Sequence, residues 1–260
     1  MGKKEIDWEN LSKRQLNAIL KRTAKNIEKE SDNDIIADAY IDRCHAYYLL
    51  GNIDDALLEC NIVNKYKPNY KRMYAWRGII YYSKLQYSYA LDNLTKSIEI
   101  DNNYYQSYSN RACVYDKIGE YDKAIDDYTK AIELKTNYAE GYYGRGLSLK
   151  NKKLYEYSIN DLERAISLKP DCSDAYSCLG DLYRELKKYN EAIIYFTHSL
   201  KINPHDYTAN FNFGVVYYEM KNYSSAEIYF KKALKIMPLK NNVIDALKYI
   251  NEYKQSKNKK

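Results

Sequence analysis

Small and apolar side chains recur along most of this chain with a period of 34 residues. The segment Tyr-x-x-Arg-Gly occupies 74–78 and again 142–146, and a related segment begins midway between them at Tyr108. Extending that frame in both directions divides the chain into six equal segments without an insertion. Their bounds are 37–70, 71–104, 105–138, 139–172, 173–206 and 207–240. Self-similarity of this length predicts stacked supersecondary units in place of one globular core.

Residues that do not set the frame fall into columns within it. All four prolines occupy position 32 of their repeat, and six of the nine glycines occupy position 8 or 15. Position 20 is alanine or serine in every repeat, and position 17 is tyrosine in five of them. Small residues let neighbouring helices approach closely, and proline stops a helix. The pattern predicts an all-α fold with two helices per repeat, the second beginning near position 17.

The segment after the last repeat continues the helical pattern. Val243, Ala246, Leu247 and Ile250 form an apolar stripe at helical spacing, which predicts a capping helix over 241–256. A repeat array needs such a cap because its terminal repeat would otherwise expose an apolar face. Residues 257–260 are predicted to form a basic tail.

The N-terminal segment 1–36 is also predicted to be helical but does not fit the repeat frame. Ser12 and Gln15 have the spacing of a capping box at the start of a helix. Arg22 and Lys29 would stand where the repeats carry small residues. This helix therefore either caps the array, lies in its groove or contacts a separate partner.

Taken together, the columns resemble the signature of the tetratricopeptide repeat. The shared features are an aromatic residue at position 4, a small one at 8, tyrosine at 11, alanine at 20, an aromatic at 24 and proline at 32. The resemblance covers 37–240. It implies a right-handed superhelical α-solenoid of six helix–turn–helix repeats, whose first helices line a concave groove. It also implies a protein-binding role, as an adaptor or co-chaperone-like scaffold.

By that resemblance, positions 2, 5, 6, 9, 12 and 13 of each repeat face the groove. Large aromatics and amides on an exposed face are typical of peptide-binding surfaces, because aromatic side chains dominate interface hot spots. Eight acids and four bases occupy these positions, which favours a basic ligand. The predicted binding residues are Trp76, Tyr82, Asn110, Lys117, Tyr143, Lys150, Arg184, Phe211 and Asn212.

Two groups of basic or amide residues have other interpretations. Arginines recur at position 7 in four repeats, too regularly for ligand binding, so they are predicted to bridge helices. Ser109-Asn110-Arg111-Ala112 is similar to one repeat of the carboxylate clamp of chaperone-binding tetratricopeptide domains. Ala75 and Glu140 stand where that clamp requires lysine. A conventional clamp is therefore not expected.

The formal charge of +6 belongs to the two ends of the chain. Residues 1–30 carry a balance of +3 and residues 248–260 one of +4, so the remainder is nearly neutral. Phosphate binding needs clustered Lys and Arg, and an RNA- or DNA-binding role through the Lys-rich ends is the less favoured alternative. The five cysteines show no C-x-x-C spacing, and no stretch is apolar enough for a signal peptide or a membrane span. A cytoplasmic protein with reduced thiols is expected.

An enzymatic role is the remaining alternative. Asp38, Asp42 and His45 lie at i, i+4 and i+7, so one helix face could offer three ligands to a metal ion. No fourth ligand is evident, and a solvated groove edge explains the spacing better. No Ser–His–Asp or Cys–His arrangement is evident from spacing. The sequence predicts neither catalysis nor a cofactor.

Overall fold

The structure, a computed structural model, describes Trp8, residues 11–238 and residues 240–258. Within these residues it contains fourteen helices and no strand, so the predicted all-α helical-repeat fold is confirmed. Parts of two predicted segments, residues 1–7 and 9–10 at the N-terminus and 259–260 of the basic tail, lie outside the described residues.

The chain divides into two compact units, Met1–Thr136 and Asn137–Lys260. The first unit contains α1 (Lys13–Ile27), α2 (Asn33–Leu49), α3 (Ile53–Tyr66), α4 (Lys71–Ser83), α5 (Tyr87–Ile100), α6 (Tyr105–Lys117) and α7 (Tyr121–Leu134). The second contains α8 (Ala139–Asn151), α9 (Tyr155–Leu168), α10 (Ser173–Glu185), α11 (Tyr189–Ile202), α12 (Tyr207–Glu219), α13 (Tyr223–Ile236) and α14 (Asn241–Asn258).

Helices from α3 to α13 begin at position 1 or position 17 of the repeat frame. The exception is α2, which begins four residues before the frame does, at Asn33. Its N-cap is Asp32, whose carboxylate accepts hydrogen bonds from the backbone N–H groups of Asp34 and Ile35. A capping aspartate satisfies donors that the first helical turn leaves open, and it therefore lengthens this helix at its N-terminus.

Every first helix ends in the same turn. The residue at position 15 has a left-handed backbone, with φ of 81° at Gly51 and Gly119 and between 58° and 62° at the four other residues. The N–H of position 16 then donates to the carbonyl of position 11, as from Leu154 to Leu149 at 2.9 Å. This closing bond recurs in all six repeats and satisfies a carbonyl at the helix end. This hydrogen bond involves only backbone atoms. Lysine and leucine can therefore occupy position 15, although glycine adopts a positive φ at a lower energetic cost.

The small residues at position 8 mark the closest contact within a helix pair. A Cβ placed on Gly78 would lie 2.5 Å from Cγ of Leu94, and one on Gly214 would lie 2.6 Å from Cδ1 of Phe230. Both distances are too short for a side chain, so glycine is required for this approach. Position 24 supplies the large side chain that fills the space.

The arginines at position 7 bridge the helices of a repeat, as predicted, in three of the four cases. Each donates from Nε and Nη2 to both oxygens of a carboxylate at position 23, at 2.7–2.9 Å. Such a bidentate ion pair both stabilises the contact and fixes the relative orientation of the two side chains. The pairs are Arg43 with Glu59, Arg111 with Asp127, and Arg145 with Asp161.

The two end helices pack on the repeats next to them. Helix α1 has the predicted capping box between Ser12 and Gln15, and it buries Leu16, Ile19 and Thr23 where it packs against α2. Helix α14 packs against α13 and fully buries Val243 and Ile250. Both helices thus cover apolar surface at the ends of the array.

Candidate functional site

The first unit holds a cavity of about 1060 Å³. Its walls come from Trp8, from α1 and from the first helices of three repeats, α2, α4 and α6, with Tyr104 just before α6. Among the predicted binding residues, Trp76 and Asn110 line it. We call it the first cavity.

Aromatic rings stack at one side of the first cavity. The indole of Trp8 stacks on the ring of His45 with centroids 4.0 Å apart and planes 28° apart. The same imidazole lies 4.3 Å from the ring of Trp76, whose edge meets Tyr48 at 5.7 Å. Burial, with the nearby charge of Arg72, lowers the pKa of His45 to about 4. The imidazole is therefore neutral near pH 7 and stacks as an uncharged ring.

The polar wall of the first cavity is tied together by Arg72. Its Nη1 donates to Oδ1 of Asp38 at 2.7 Å, and its Nη2 lies 3.7 Å from a carboxylate oxygen of Asp42. The hydroxyl of Tyr70 also donates to Asp38. With Arg22 of α1 also in its lining, the cavity carries two bases and two acids. Its charge is balanced, so the net acidity predicted for the groove is not found here.

Gln106 presents a buried side-chain oxygen in the first cavity. Its Oε1 has no hydrogen-bond partner among the described residues. A buried acceptor without a partner is unfavourable until a donor reaches it. This amide stands at position 2, one of the groove positions, although it is not among the predicted binding residues.

The other two predicted residues of the first unit lie outside this cavity's lining. Tyr82 packs against Tyr87 with centroids 6.0 Å apart. Lys117 is exposed at the last position of α6. They remain predictions as ligand contacts.

The second unit holds a smaller pocket of about 260 Å³. It contains three of the predicted binding residues, Tyr143, Lys150 and Asn212. Three aspartates also line it, Asp174 and Asp181 on α10 and Asp206 just before α12. We call it the second pocket. With one lysine against three aspartates, it has the acidic balance that the sequence predicted for the groove.

Lys150 and Arg184 form ion pairs with acids of a neighbouring first helix, and Arg184 also pairs with an acid of its own helix. Lys150 forms an ion pair with Asp181 and lies 3.6 Å from Glu185. Arg184 lies 2.9 Å from Asp181 and 3.1 Å from Glu219. Burial alone would lower the pKa of Lys150, but the carboxylate of Asp181 outweighs it and raises that pKa. Because Lys150 and Arg184 are already paired with carboxylates, their main effect is to hold those carboxylates in place. They are poorly placed to attract an anionic ligand.

Tyr143 and Phe211 differ in their surroundings. Tyr143 is half-buried beside the aspartates of the second pocket, and burial raises the pKa of its hydroxyl. Phe211 stacks on Tyr207 with centroids 6.0 Å apart and lies 5.8 Å from the ring of Phe230. Phe211 therefore packs against the core around Phe230, while Tyr143 remains a wall of a pocket.

Two residues that the sequence argument did not assign to ligand binding stand out. Trp8 lies outside the repeat frame, so periodicity carries no signal for it. His45 stands at position 9, one of the groove positions, but its chemistry suggested only a metal ligand. In the part of the chain that the structure describes, no three His, Cys, Asp or Glu side chains are grouped as a metal ion would require. None of the described helices is long and apolar enough to cross a bilayer.

Three family models, each described as the tetratricopeptide repeat, match residues 105–138, 139–172 and 171–238. Together they cover just over half of the chain. No curated protein shows significant similarity to it.

Many solved structures share the fold. The crystal structure of the APC/C hetero-tetramer Cut9-Hcn1 contains a chain with a TM-score of 0.80 and 17% identity, aligned over 92% of this chain. This chain spans about half of that protein's length, 46%. YrrB, a tetratricopeptide repeat protein with an unusual peptide-binding site, aligns with a TM-score of 0.56 and 22% identity over 73% of this chain and 97% of its own. MamA aligns with a TM-score of 0.55 and 28% identity over 61% of this chain and 93% of its own.

Proposed function

This chain belongs to the tetratricopeptide repeat family, whose fold is a scaffold for protein–protein interaction, and we propose that it is a non-enzymatic adaptor that binds a peptide or helix of a partner protein. The binding surface is formed by the first helices of its repeats. We place the protein in the cytoplasm, where its cysteines stay reduced.

The first cavity carries this proposal. Trp76 and Asn110 contribute there an indole for apolar contact and an amide that can pair with a peptide backbone. Gln106 also lines this cavity, and a local shift of its buried Oε1 towards a ligand N–H would give that oxygen the partner it lacks. An aromatic anchor surrounded by a few oriented polar groups is the usual composition of an interface hot spot.

The second pocket favours a basic side chain of the ligand. Asp174, Asp181 and Asp206 surround a half-buried Tyr143, and Lys150 offsets only one of these charges. A lysine or arginine side chain entering the pocket would gain carboxylate partners and an aromatic face. The same acidic balance opposes binding of a phosphate backbone, so nucleic-acid binding through the Lys-rich ends is not favoured.

We expect no conventional carboxylate clamp in the first unit. Ala75 is buried, and with Ile79 it lines the first cavity beside Asn110, where a clamp would need longer polar side chains. A free C-terminal carboxylate would therefore meet apolar groups near Asn110. We therefore expect the bound segment to lie within the partner's chain, away from its C-terminus, or to bind without a contact to its terminal carboxylate.

The proposal is tested by affinity capture with a groove variant, Trp76→Ala, Asn110→Ala, Tyr143→Ala. A matched control removes three exposed side chains from second helices, Leu58→Ala, Tyr89→Ala, Tyr157→Ala, which are 58%, 59% and 66% exposed. Circular dichroism first establishes that both variants keep the wild-type helix content. We expect the groove variant to lose partners that the control retains. An unchanged partner set, or equal losses from both variants, would overturn the proposal.

A further inference from the structure

Trp8 lies before α1, outside every repeat, and its side chain lines the first cavity. Its indole stacks on His45 at 4.0 Å, and His45 lies between it and Trp76. Each of the three rings also lines the first cavity. A side chain from outside the repeats thus stacks on His45, which in turn contacts the predicted binding residue Trp76.

Trp8 packs against the cluster of Leu16, Ile19 and Ala46 that joins α1 to α2, but α1 has further contacts of its own. Helix α1 begins five residues later, at Lys13, and is held on α2 by the buried Leu16, Ile19 and Thr23. Nη1 of Arg43 also donates to the carbonyl of Leu20 at 3.2 Å. These contacts hold α1 on α2 without the stacking of Trp8 on His45, so the stack itself can be lost while α1 stays docked.

The surface under Trp8 recognises an aromatic ring better than it recognises charge. Two bases, Arg22 and Arg72, balance two acids in the first cavity, and Arg72 is already paired with Asp38. The uncharged imidazole of His45 and the indole of Trp76 offer stacking surfaces for planar rings. An aromatic side chain is thus the ligand group for which this surface is complementary.

We propose that Trp8 is an intramolecular stand-in for an aromatic anchor residue of the partner, and that the partner must displace it from His45 to bind the first unit. This inference rests on the proposed function and names the chemistry of the ligand at that site. A tethered ligand acts at an effective concentration in the millimolar range, so even a weak contact can occupy the site in the free protein. The partner's apparent affinity is then reduced by the same occupancy.

The direct test supplies the segment in trans. A fluorescent peptide with the sequence of residues 1–12 is titrated with the full-length Trp8→Ala variant, whose site is open. We expect saturable binding with a Kd of about 1 mM or tighter. Binding should be lost when the peptide itself carries Trp8→Ala, and should fall at least tenfold when His45→Ala is added to the protein. The wild-type chain, with its own Trp8 in place, should bind the peptide more weakly.

Absence of binding at millimolar concentration would overturn the inference, because a contact weaker than the effective concentration leaves the site empty in cis. Equal binding of the two peptides would overturn it as well. Tyr89→Ala in the Trp8→Ala background is the matched control and should leave the affinity unchanged.

A second readout uses the fact that the chain has only two tryptophans. In a Trp76→Phe variant all indole fluorescence comes from Trp8. Quenching by acrylamide should rise several-fold when His45→Ala removes the stacking partner. Equal quenching with and without His45 would contradict the stacking of Trp8 on His45.

Partner capture separates this inference from the proposed function. If the groove variant loses partners and Trp8→Ala recovers more of them than wild type, both hold. If the groove variant loses partners and Trp8→Ala captures no more partner than wild type does, the proposed role of Trp8 is wrong and the adaptor function stands. If the groove variant keeps every partner, the proposed function is wrong whatever the peptide does.

Discussion

The buried Nε of Arg77 has no hydrogen-bond acceptor among the described residues, because Asn93 stands where three other repeats place a carboxylate. The amide of Asn93 turns away and donates from Nδ2 to the backbone carbonyl of Tyr89 at 2.7 Å. In the next repeat Arg111 donates to both oxygens of Asp127. The second repeat therefore lacks one interhelical ion pair that its neighbours possess.

Restoring that carboxylate should stabilise the first unit. We expect Asn93→Asp to raise its free energy of unfolding by about 1 kcal/mol, because a charge-assisted pair would replace a buried donor without a partner. Urea unfolding followed by tryptophan fluorescence measures this, since Trp8 and Trp76 both lie in the first unit. The gain should vanish when Arg77→Met is present; a gain of equal size in that background would show that Arg77 is not the cause.

Adding a methyl group at position 8 should destabilise the sixth repeat. The Cβ of a Gly214→Ala variant would lie 2.6 Å from Cδ1 of Phe230, which is almost fully buried and cannot easily move aside. We expect a loss of about 1–3 kcal/mol, larger than the helix-propensity gain of alanine. Chemical denaturation followed by circular dichroism measures it. The loss should shrink in a Phe230→Ala background, and an undiminished loss there would rule out the ring contact as its origin.

The first unit should lose stability in acid because of His45. Its pKa lies near 6.5 in the unfolded chain and is lowered to about 4 in the folded one by burial and by Arg72. Below pH 6.5 the unfolded chain binds a proton that the folded chain does not, so stability falls as the pH drops towards 4. At pH 5 the cost is about 2 kcal/mol. Urea unfolding at pH 7 and pH 5 should show a smaller difference for His45→Phe than for wild type. Identical differences would show that His45 does not cause the acid sensitivity.

Truncating Trp76 should weaken partner binding. We expect Trp76→Ala to reduce affinity by about 2 kcal/mol or more, because large aromatic side chains dominate interface hot spots and this indole lines the first cavity. Calorimetry with a segment of a captured partner measures it, and circular dichroism verifies that the array remains folded. Tyr89→Ala, which removes an aromatic ring from a second helix, should leave the affinity as it is. An unchanged affinity for Trp76→Ala would remove this residue from the binding surface.

Most of the fold can be predicted from the sequence because it is periodic. Columns of proline, glycine and alanine define where each helix begins and ends, and one well-marked repeat defines the others. The start of α2 escapes this argument, since Asp32 caps it from outside the frame. The α1 docking surface escapes it for the same reason: Leu16 and Ile19 belong to no column.

The candidate site can be predicted only in part. Repeat position identifies Trp76 and Asn110, because first-helix positions have a constant orientation. It does not reveal that Lys150 is paired with Asp181, since that pair joins two repeats and depends on which helix faces lie in contact. Periodicity cannot predict a role for Trp8, because this residue lies outside the repeats. Its role depends on where a segment without a repeat comes to lie.

The closing turn of the first helices has a consequence for how such a chain can change in length. Because the turn recurs at the same position in all six repeats, removal of one whole period leaves the others as they were. Deleting 71–104 would join Tyr70 to Tyr105 and so restore the junction that Tyr104 makes now. A deletion that is not a whole number of periods would break the register of the repeat in which it falls. Gene duplication and loss can therefore alter how many repeats the protein has, while selection holds the period itself constant.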